Sequence, residues 1–349
     1  MKNSKINLFD ITYSEMEKII KEISLPVFRA QQLGNWLYKN LVFSLDQMSN
    51  FSQELKDTID KNFYFYVPQI EHVAHSESDN SYKFLLKTSD DRLIESILMI
   101  EPGRTTVCVS CMIGCPMGCK FCATGTEVGF VRKLTTAEII GQVLMILRYA
   151  KENDIAQRIT NVVFMGMGEP FANLDAVQNA IYILLDPKLF GISPAKISVS
   201  TACPGNNIAE FINKTSVRLA VSLHFPTNDL RSEYMPINKK FNIEEIIKEL
   251  KKVKLKKRDY ILIEYIMLGG INDTPLHAKQ LLGIVGNLKV KINLIPYNPT
   301  EGFAAKASTQ KAINDFVQYL QSKNIFVSVR KSRGIDIDGG CGQFALKKS

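Results

Sequence analysis

The chain has 349 residues, of which 46% are hydrophobic and 22% charged, and its formal net charge is +8. This length allows one large or two medium domains with a sizeable core, and the composition is ordinary for a soluble globular protein. No apolar run reaches the roughly 18–20 residues of a membrane span, and the N-terminus lacks the apolar stretch of a signal peptide. We therefore expect a cytoplasmic protein whose seven cysteines do not form a disulfide scaffold.

The first 62 residues show helical patterning and predict a small N-terminal helical accessory domain. Apolar residues recur at helical spacing in 13–23, 28–40 and 51–63, and Pro26 and the Ser49-Asn50 pair separate these segments. The single tryptophan, Trp36, is expected to anchor the core of this domain. Residues 63–103 follow as a short β extension with a polar turn.

From residue 104 to 349, strands and helices alternate. Strand-like runs occupy 105–110, 161–166, 196–201, 217–224, 260–268, 291–297 and 325–331, and helix-like runs occupy 135–152, 173–185, 242–253, 275–288 and 308–323. Thr135 and Glu138 have the spacing of a capping box at the start of one helix. Such alternation predicts right-handed βαβ units and a parallel sheet, and six or seven units favour a partial (β/α) barrel.

Polar and glycine residues cluster just after these strands. They are the cysteines of 115–122 after the first run, Gly166, Gly168 and Glu169 after the second, Ser200 and Thr201 at the end of the third, Ser222 and His224 at the end of the fourth, and Asn298 after the sixth. In a parallel barrel the carboxyl ends of the strands share one rim, where active sites are built. The sequence therefore predicts a site on this rim.

Seven lysine and arginine residues crowd 248–258. A net positive charge is compatible with a polyanionic partner. An apolar stripe at helical spacing precedes and enters this run, so we interpret the run as the solvated end of a helix.

Three cysteines, Cys115, Cys119 and Cys122, have the spacing C-x3-C-x2-C. Three thiolates at this spacing can hold three irons of a [4Fe–4S] cube and leave the fourth iron open. Zinc is the main alternative, but a structural zinc site takes four ligands, and only the distant Cys203 and Cys341 lie outside 108–122. The sequence favours an open cluster, which can bind and reduce a ligand.

The triplet, with the aromatic Phe121 before its last cysteine, resembles the signature of radical S-adenosylmethionine (SAM) enzymes. Further motifs are CVS (108–110), IGC (113–115), CKFCATG (119–125), FMGMGEP (164–170), SLH (222–224), MPIN (235–238), NLIPYNP (293–299), RGIDI (333–337) and CGQ (341–343). Together they resemble the RlmN/Cfr class of RNA adenine methyltransferases, from about Pro26 to the C-terminus. The RGIDI segment is more similar to the C2-methylating branch of that class.

This resemblance implies a [4Fe–4S] cluster on Cys115, Cys119 and Cys122, and two molecules of SAM per turnover. It also implies a set of SAM contacts, which are Gly168, Glu169, Ser200, Ser222, Leu223, His224 and Asn298. Without the resemblance, the serines would be interpreted as strand-end caps and His224 as a buried, hydrogen-bonded imidazole.

The resemblance further implies methylation of C2 of an adenosine in 23S rRNA and of an adenosine in tRNA. Cys341, in the glycine-flanked loop DGGCGQ, would carry the methyl group as S-methylcysteine. Cys108 would resolve a covalent RNA adduct through a transient disulfide, and Glu95 would accept the ring proton. Periodicity alone places Glu95 on the surface of a strand. Gly339 and Gly340 stand where this class commonly has other small residues such as alanine, and we expect them to add flexibility.

Other interpretations remain open. The C8-methylating branch shares the whole core, and a radical activase that acts on a partner protein would need neither Cys108 nor Cys341. A non-enzymatic RNA-binding iron–sulfur protein would tolerate loss of Glu169 and Cys341. For the enzyme we expect a monomer with an electron donor such as flavodoxin or ferredoxin. Cys111 and Cys203 have no role in the resemblance and are predicted to be structural.

Overall fold

The computed structural model describes residues 5–346, and its N-terminal part is helical. The elements are β1 (Ile6–Asn7), α1 (Tyr13–Glu22), α2 (Phe28–Gly34), α3 (Gln53–Asn62) and β2 (Phe63–Tyr64). The π-helical turn Asn35–Lys39 continues α2, and β1 pairs with β2 in parallel. The three predicted helices are thus confirmed. Trp36 is only half-buried and donates its indole N–H to Asn50 at 2.8 Å, so Leu33 and Leu37, not Trp36, fill the core.

The next segment adds three antiparallel strands to the main sheet. They are β3 (Gln69–His75), β4 (Ser81–Lys87) and β5 (Leu93–Glu101), and β5 pairs with β6 (Arg104–Cys108). Residues 63–103 therefore contribute strands to the same sheet as the rest of the chain.

The remaining elements alternate as predicted. They are β7 (Met112–Gly114), β8 (Phe130–Lys133), α4 (Thr136–Glu152), β9 (Asn161–Phe164), α5 (Leu174–Leu185), β10 (Ile197–Thr201), α6 (Ile208–Thr215), β11 (Arg218–Ser222), α7 (Asn228–Tyr234), α8 (Ile243–Leu250), β12 (Ile261–Met267), α9 (Pro275–Val285), β13 (Val290–Pro296), α10 (Gln310–Ser322) and β14 (Val327–Val329). All seven predicted strands and five predicted helices are present. The capping box of Thr135 and Glu138 is confirmed at the start of α4.

The main sheet has ten strands in the order β14-β13-β12-β11-β10-β9-β6-β5-β4-β3. Neighbours from β6 to β14 are parallel, and within the described residues β14 pairs only with β13. Side chains from β6, β9, β10, β12 and β13 line one shared cavity, namely Thr106, Val163, Ser198, Leu262 and Asn293. The sheet therefore curves around a common interior, and the predicted partial barrel is confirmed.

Only the first residues of the basic run 248–258 form the end of a helix, because Lys248 lies in the last turn of α8 and Lys251 caps it. Helix α8 stops at Leu250, and the backbone N–H of Lys254 binds the side chain of Asn213 at 2.7 Å instead of continuing the helical ladder. Most of the lysines therefore lie in the loop between α8 and β12. Within residues 5–346, no helix has both the length and the apolar character needed to cross a membrane.

Candidate active site at the carboxyl ends of the strands

A hairpin of β7 and β8 holds the loop that carries the three cysteines. Gly114 has φ +72°, and a Cβ there would lie 1.5 Å from the carbonyl oxygen of Gly129, so only glycine fits. The backbone N–H of Cys115 donates to that same carbonyl at 2.8 Å. The N–H of Lys120 donates to the carbonyl of Tyr234, which ties the loop to the end of α7.

The three cysteine side chains line one cavity, which we call the strand-end cavity. Its empty volume, which includes space open to solvent, is about 860 Å³. Polar residues that follow β9, end or follow β10 and β11, or lie within β12 line it together with the cysteines: Glu169, Ser200, Thr201, Ser222, His224 and Glu264. The structure thus brings together most of the predicted rim residues.

Glu169 is buried and accepts three hydrogen bonds. Its Oε1 accepts from the N–H of Phe171 and the hydroxyl of Thr201, and its Oε2 accepts from the N–H of Ala202. Burial raises the pKa of this carboxyl, whereas the three donors lower it. Gly168 precedes it at φ +101°, where a Cβ would lie 2.6 Å from Met112. The sequence therefore fixes this carboxylate as an oriented acceptor at the cavity wall.

His224 lies at the end of β11 with φ +61°. Its Nδ1 accepts the N–H of Ile266 at 3.2 Å, so the neutral ring carries its proton on Nε2. Burial lowers the pKa of the imidazole to about 3, which keeps it neutral. The ring of Phe121 meets it edge-on at a centroid distance of 5.2 Å. His224 is thus a buried, hydrogen-bonded imidazole that also lines the strand-end cavity.

Glu264 is a rim residue that sequence reasoning missed. Its Oε2 accepts from the hydroxyls of Ser200 and Ser222, which are themselves 3.2 Å apart. The guanidinium group of Arg330, the residue just after β14, lies 4.0 Å from Oε1 of Glu264. A lone carboxylate inside the apolar strand ILIEYIM was the signal that could have found it.

Arg231 was also missed, because nothing in its local sequence marks it. It is fully buried and donates to the carbonyls of Leu223 and Ala202 and to the side chain of Asn238. These bonds fix the turns that follow β10 and β11. Leu223 itself is a buried core residue whose side chain does not line the strand-end cavity.

A second cavity, which we call the two-cysteine cavity, adjoins the first. It has an empty volume of about 570 Å³ and is lined by Cys108, Cys341 and Arg330, together with Gly339, Gly340 and other residues of the C-terminal loop. Cys341 lines both cavities. Burial, and the neighbouring Cys341, raise the pKa of the Cys108 thiol to about 12. The structure thus places both predicted reactive cysteines at one cavity.

The C-terminal loop is fastened to the cysteine loop. The N–H of Ala123 donates to the carbonyl of Gly342, and the hydroxyl of Thr124 donates to the carbonyl of Phe344, each at 2.8 Å. Asn298 does not line the strand-end cavity; its amide donates to the carbonyl of Cys341 at 3.2 Å.

Glu95 is fully buried, so its expected surface position on the strand was wrong. The C-terminal loop covers it, and the N–H of Leu346 donates to its Oε2 at 3.1 Å. The ammonium group of Lys83 lies 3.4 Å from Oε1. Burial raises the pKa of Glu95, and the Leu346 amide and Lys83 oppose that rise. Glu95 does not line the two-cysteine cavity, but Ile97, two residues along the same strand face, does.

Comparisons with known proteins agree with this geometry. Residues 109–281 match the radical SAM superfamily, and residues 6–64 match the ribosomal RNA large subunit methyltransferase N-terminal domain. A dual-specificity RNA methyltransferase RlmN from Oleidesulfovibrio alaskensis is 39% identical over 97% of this chain and 95% of its own length. The protein of that name from Lawsonia intracellularis is 40% identical over 97% and 96%, respectively. The chain belongs to the RlmN family.

A solved structure extends this likeness to three dimensions. The crystal structure of a radical SAM methyltransferase from Sphaerobacter thermophilus matches with a TM-score of 0.88 and 34% identity, covering 98% of this chain and 100% of that one. As a member of the RlmN family, the protein is a radical SAM RNA methyltransferase, and its cofactors are a [4Fe–4S] cluster and SAM.

The strand-end cavity fits both cofactors of an RlmN-family enzyme. Burial raises the pKa of the Cys115 thiol to about 12 and that of Cys122 above its usual value, so their thiolate forms would need bound cations, and the irons of a cluster would supply that positive charge. Within the described residues, no three histidine, cysteine or carboxylate side chains form a site for a single metal ion. A cube does not need such convergence, because each thiolate binds a different iron.

Two cysteines and one glycine of this RlmN-family chain contribute to packing around the site and in the core. Cys111 and Cys203 are buried in the main core, where they pack as small apolar residues. A Cβ at Gly340 would lie 2.5 Å from Oε1 of Gln343 and 2.7 Å from Nδ2 of Asn298. In this chain Gly340 therefore allows close packing around Cys341.

Proposed function

We propose that the protein methylates C2 of an adenosine in 23S rRNA and of an adenosine in tRNA, using a methyl group carried on Cys341. The observation that carries this proposal is the position of Cys341 at both cavities. Cys122 also lines both but belongs to the triplet, which leaves Cys341 for group transfer. The large-subunit rRNA domain match and the dual-specificity names of the relatives support two RNA substrates.

In this proposal the chain divides into an accessory domain (1–62), a β extension (63–103) and a catalytic core (104–349). Cys115, Cys119 and Cys122 hold the cluster, which when bound supplies the electron that cleaves SAM to a hydrogen-abstracting radical. Two molecules of SAM are used per turnover, one as methyl donor and one as radical source. The protein contributes position and exclusion of water around these steps.

We assign the SAM contacts from the polar groups on the walls of the strand-end cavity. Glu169 accepts the ammonium group of the methionine part, and Gly168 lets the chain approach it closely. Ser200 and Ser222, backed by Glu264, suit the hydroxyls of a ribose. Three further residues act at the turns and at the two-cysteine cavity. His224 offers its Nε2 proton to the cofactor, and Leu223 contributes its backbone, whose carbonyl accepts from Arg231. Asn298 fixes the backbone of Cys341.

At the two-cysteine cavity, the sulfur of Cys341 takes a methyl group and becomes S-methylcysteine. The SAM-derived radical removes one hydrogen atom from that methyl group, and the resulting methylene radical adds to C2 of the adenine. Loss of the C2 proton and of one electron, which a bound cluster would take back, leaves a covalent methylene adduct. The thiolate of Cys108 then attacks the sulfur of Cys341 and forms a disulfide, the bond from that sulfur to the methylene carbon breaks, and the released carbon takes a proton to become the new methyl group of the RNA. Glu95 takes the ring proton, and its burial with a raised pKa suits a general base.

Arg330 supports the cysteine chemistry. It lines both cavities, and its positive charge lowers the pKa of Cys108 against the effect of burial. The exposed fraction of its side chain is 25%, so its charge is only partly screened by water. We propose that the protein works as a cytoplasmic monomer and receives electrons from a flavodoxin or ferredoxin.

The test is anaerobic reconstitution of the cluster, followed by incubation with SAM, a reductant and fragments of 23S rRNA or tRNA. Mass spectrometry of the digested nucleosides should show 2-methyladenosine. A product of 8-methyladenosine would overturn the proposed position on the ring, and SAM cleavage without either product would point to a different substrate, such as a protein.

A further inference from the structure

Five cations lie at the end of the barrel opposite the active site. Arg218 opens β11, Lys289 and Lys291 flank the first residue of β13, and Lys254 and Lys256 belong to the loop before β12. We call these five residues the basic surface. All are exposed except Lys291, which is half-buried.

The basic surface is separate from the site described above. Ser222 ends β11 at the strand-end cavity, whereas Arg218 begins the same strand. The neighbouring β12 has seven residues, and at roughly 3.3 Å per residue it spans about 20 Å. A ligand at the basic surface therefore cannot be the group that reacts at Cys341.

The basic surface borders a cavity and has little compensating charge. Arg218, Lys254, Lys256 and Tyr260 line a cavity with an empty volume of about 850 Å³. Among the described residues that line it, Asp259 is the single carboxylate, and its Oδ2 accepts the backbone N–H of Lys256 at 3.3 Å. No ion pair within 4.0 Å joins any of the five cations to a carboxylate in residues 5–346.

Aromatic rings lie between these cations and hold them in place. The Arg218 guanidinium donates to the hydroxyl of Tyr260 at 2.8 Å. The ammonium group of Lys291 lies 4.2 Å from the ring centroid of Tyr260 and 4.3 Å from that of Phe326, which is 57% exposed. Lys289 donates to two carbonyls of the loop, those of Lys256 and Lys257. The side chains of Arg218, Lys289 and Lys291 are therefore held in place.

Charge and aromatic content together indicate the ligand. Lysine and arginine side chains without a carboxylate partner bind phosphates, and the exposed ring of Phe326 can stack with a base, which suits a nucleic acid better than an acidic protein. We propose that the basic surface binds the phosphate backbone of an RNA segment remote from the target adenosine, so that a long RNA contacts both ends of the barrel. This proposal rests on the RNA substrate of the proposed function, but not on the roles of Cys108 or Cys341.

The test compares the double variant Lys254→Gln/Lys256→Gln with the matched control Lys279→Gln/Lys311→Gln, which removes the same charge from α9 and α10. Each reconstituted protein is titrated with a long 23S rRNA domain and with a short hairpin that contains the same target, at several KCl concentrations. For the long RNA, the slope of log affinity against log salt should fall by about 1.5 in the first variant only, because two phosphate contacts are lost. Affinity for the hairpin, and its methylation, should stay unchanged.

Equal slopes for the two variants with the long RNA would overturn the proposal. So would slower turnover with a flavodoxin but not with dithionite, at unchanged RNA affinity, because that result would assign the surface to a protein partner. If the wild-type enzyme fails to methylate the hairpin, that result contradicts the proposed function. The comparison of salt slopes for the two variants still shows whether the basic surface binds RNA.

Discussion

The two cavities that meet at Cys341 are built in different ways. In the strand-end cavity, polar side chains stand at the ends of parallel strands, and backbone donors fix them, as Phe171 and Ala202 fix Glu169. The two-cysteine cavity has one wall of strands, β5 and β6, and one wall made of the C-terminal loop. The first cavity is formed largely by the barrel itself, whereas the second depends on the loop that carries Cys341, whose sulfur we propose to be reactive.

The largest effect should come from Cys341→Ala. We expect no methylated nucleoside, because no other cysteine outside the triplet lines both cavities. Affinity for SAM should remain within about threefold of wild type, because Glu169 keeps its hydrogen-bond partners. Nucleoside mass spectrometry and calorimetry measure the two quantities, and any methylated product would contradict the role of Cys341.

The second largest effect should come from Glu169→Gln, which should weaken SAM binding in the strand-end cavity. The neutral amide no longer offers a negative charge to the ammonium group of SAM, and a hydrogen bond to a charged group contributes about 1.5–3 kcal/mol. We expect a loss of SAM affinity of at least about tenfold, measured by calorimetry. The exposed Glu54→Gln serves as control, and wild-type affinity in Glu169→Gln would show that the carboxylate does not hold the cofactor.

Glu95→Gln should change how stability depends on pH. Because the pKa of Glu95 in the folded protein lies above its usual value of 4.5, the folded state binds the proton more tightly than the unfolded chain. Its contribution to the free energy of unfolding is therefore largest at low pH and falls as the pH rises from 4.5 to the folded-state pKa. The fall is about 1.4 kcal/mol for each pH unit between those two values.

Urea unfolding between pH 4 and 7 measures this effect. Wild type should lose stability relative to Glu95→Gln as the pH rises, whereas the exposed Glu210→Gln should follow wild type. Parallel curves for wild type and Glu95→Gln would mean that burial does not raise this pKa.

The smallest effect should come from Ser222→Ala. It removes one neutral hydroxyl that donates to Glu264 at 3.2 Å, and Ser200 still donates to the same oxygen. One such bond contributes about 0.5–1.5 kcal/mol, so SAM affinity should fall by roughly three- to tenfold. Calorimetric titration with SAM measures this loss of affinity. A loss as large as that of Glu169→Gln would show that the hydroxyl has a direct and larger role.

Periodicity predicted the barrel because buried parallel strands are continuous apolar runs and their helices are amphipathic. It also placed Glu169, Ser200 and Ser222 on one rim, since parallel strands end on the same side. It placed Glu95 wrongly, because the covering loop lies some 250 residues away in sequence, at Leu346. Arg231 was missed because its partners are two backbone carbonyls and one amide side chain, which no sequence pattern marks.

The measurement that tests the central claim most directly uses Cys108→Ala. The reconstituted variant is incubated with SAM, reductant and RNA, and the products are separated under denaturing conditions. If Cys341 forms the adduct and Cys108 resolves it, the variant should accumulate protein covalently joined to RNA, with the bond mapped to Cys341 by peptide mass spectrometry. Recovery of only free, unmodified RNA would contradict the account.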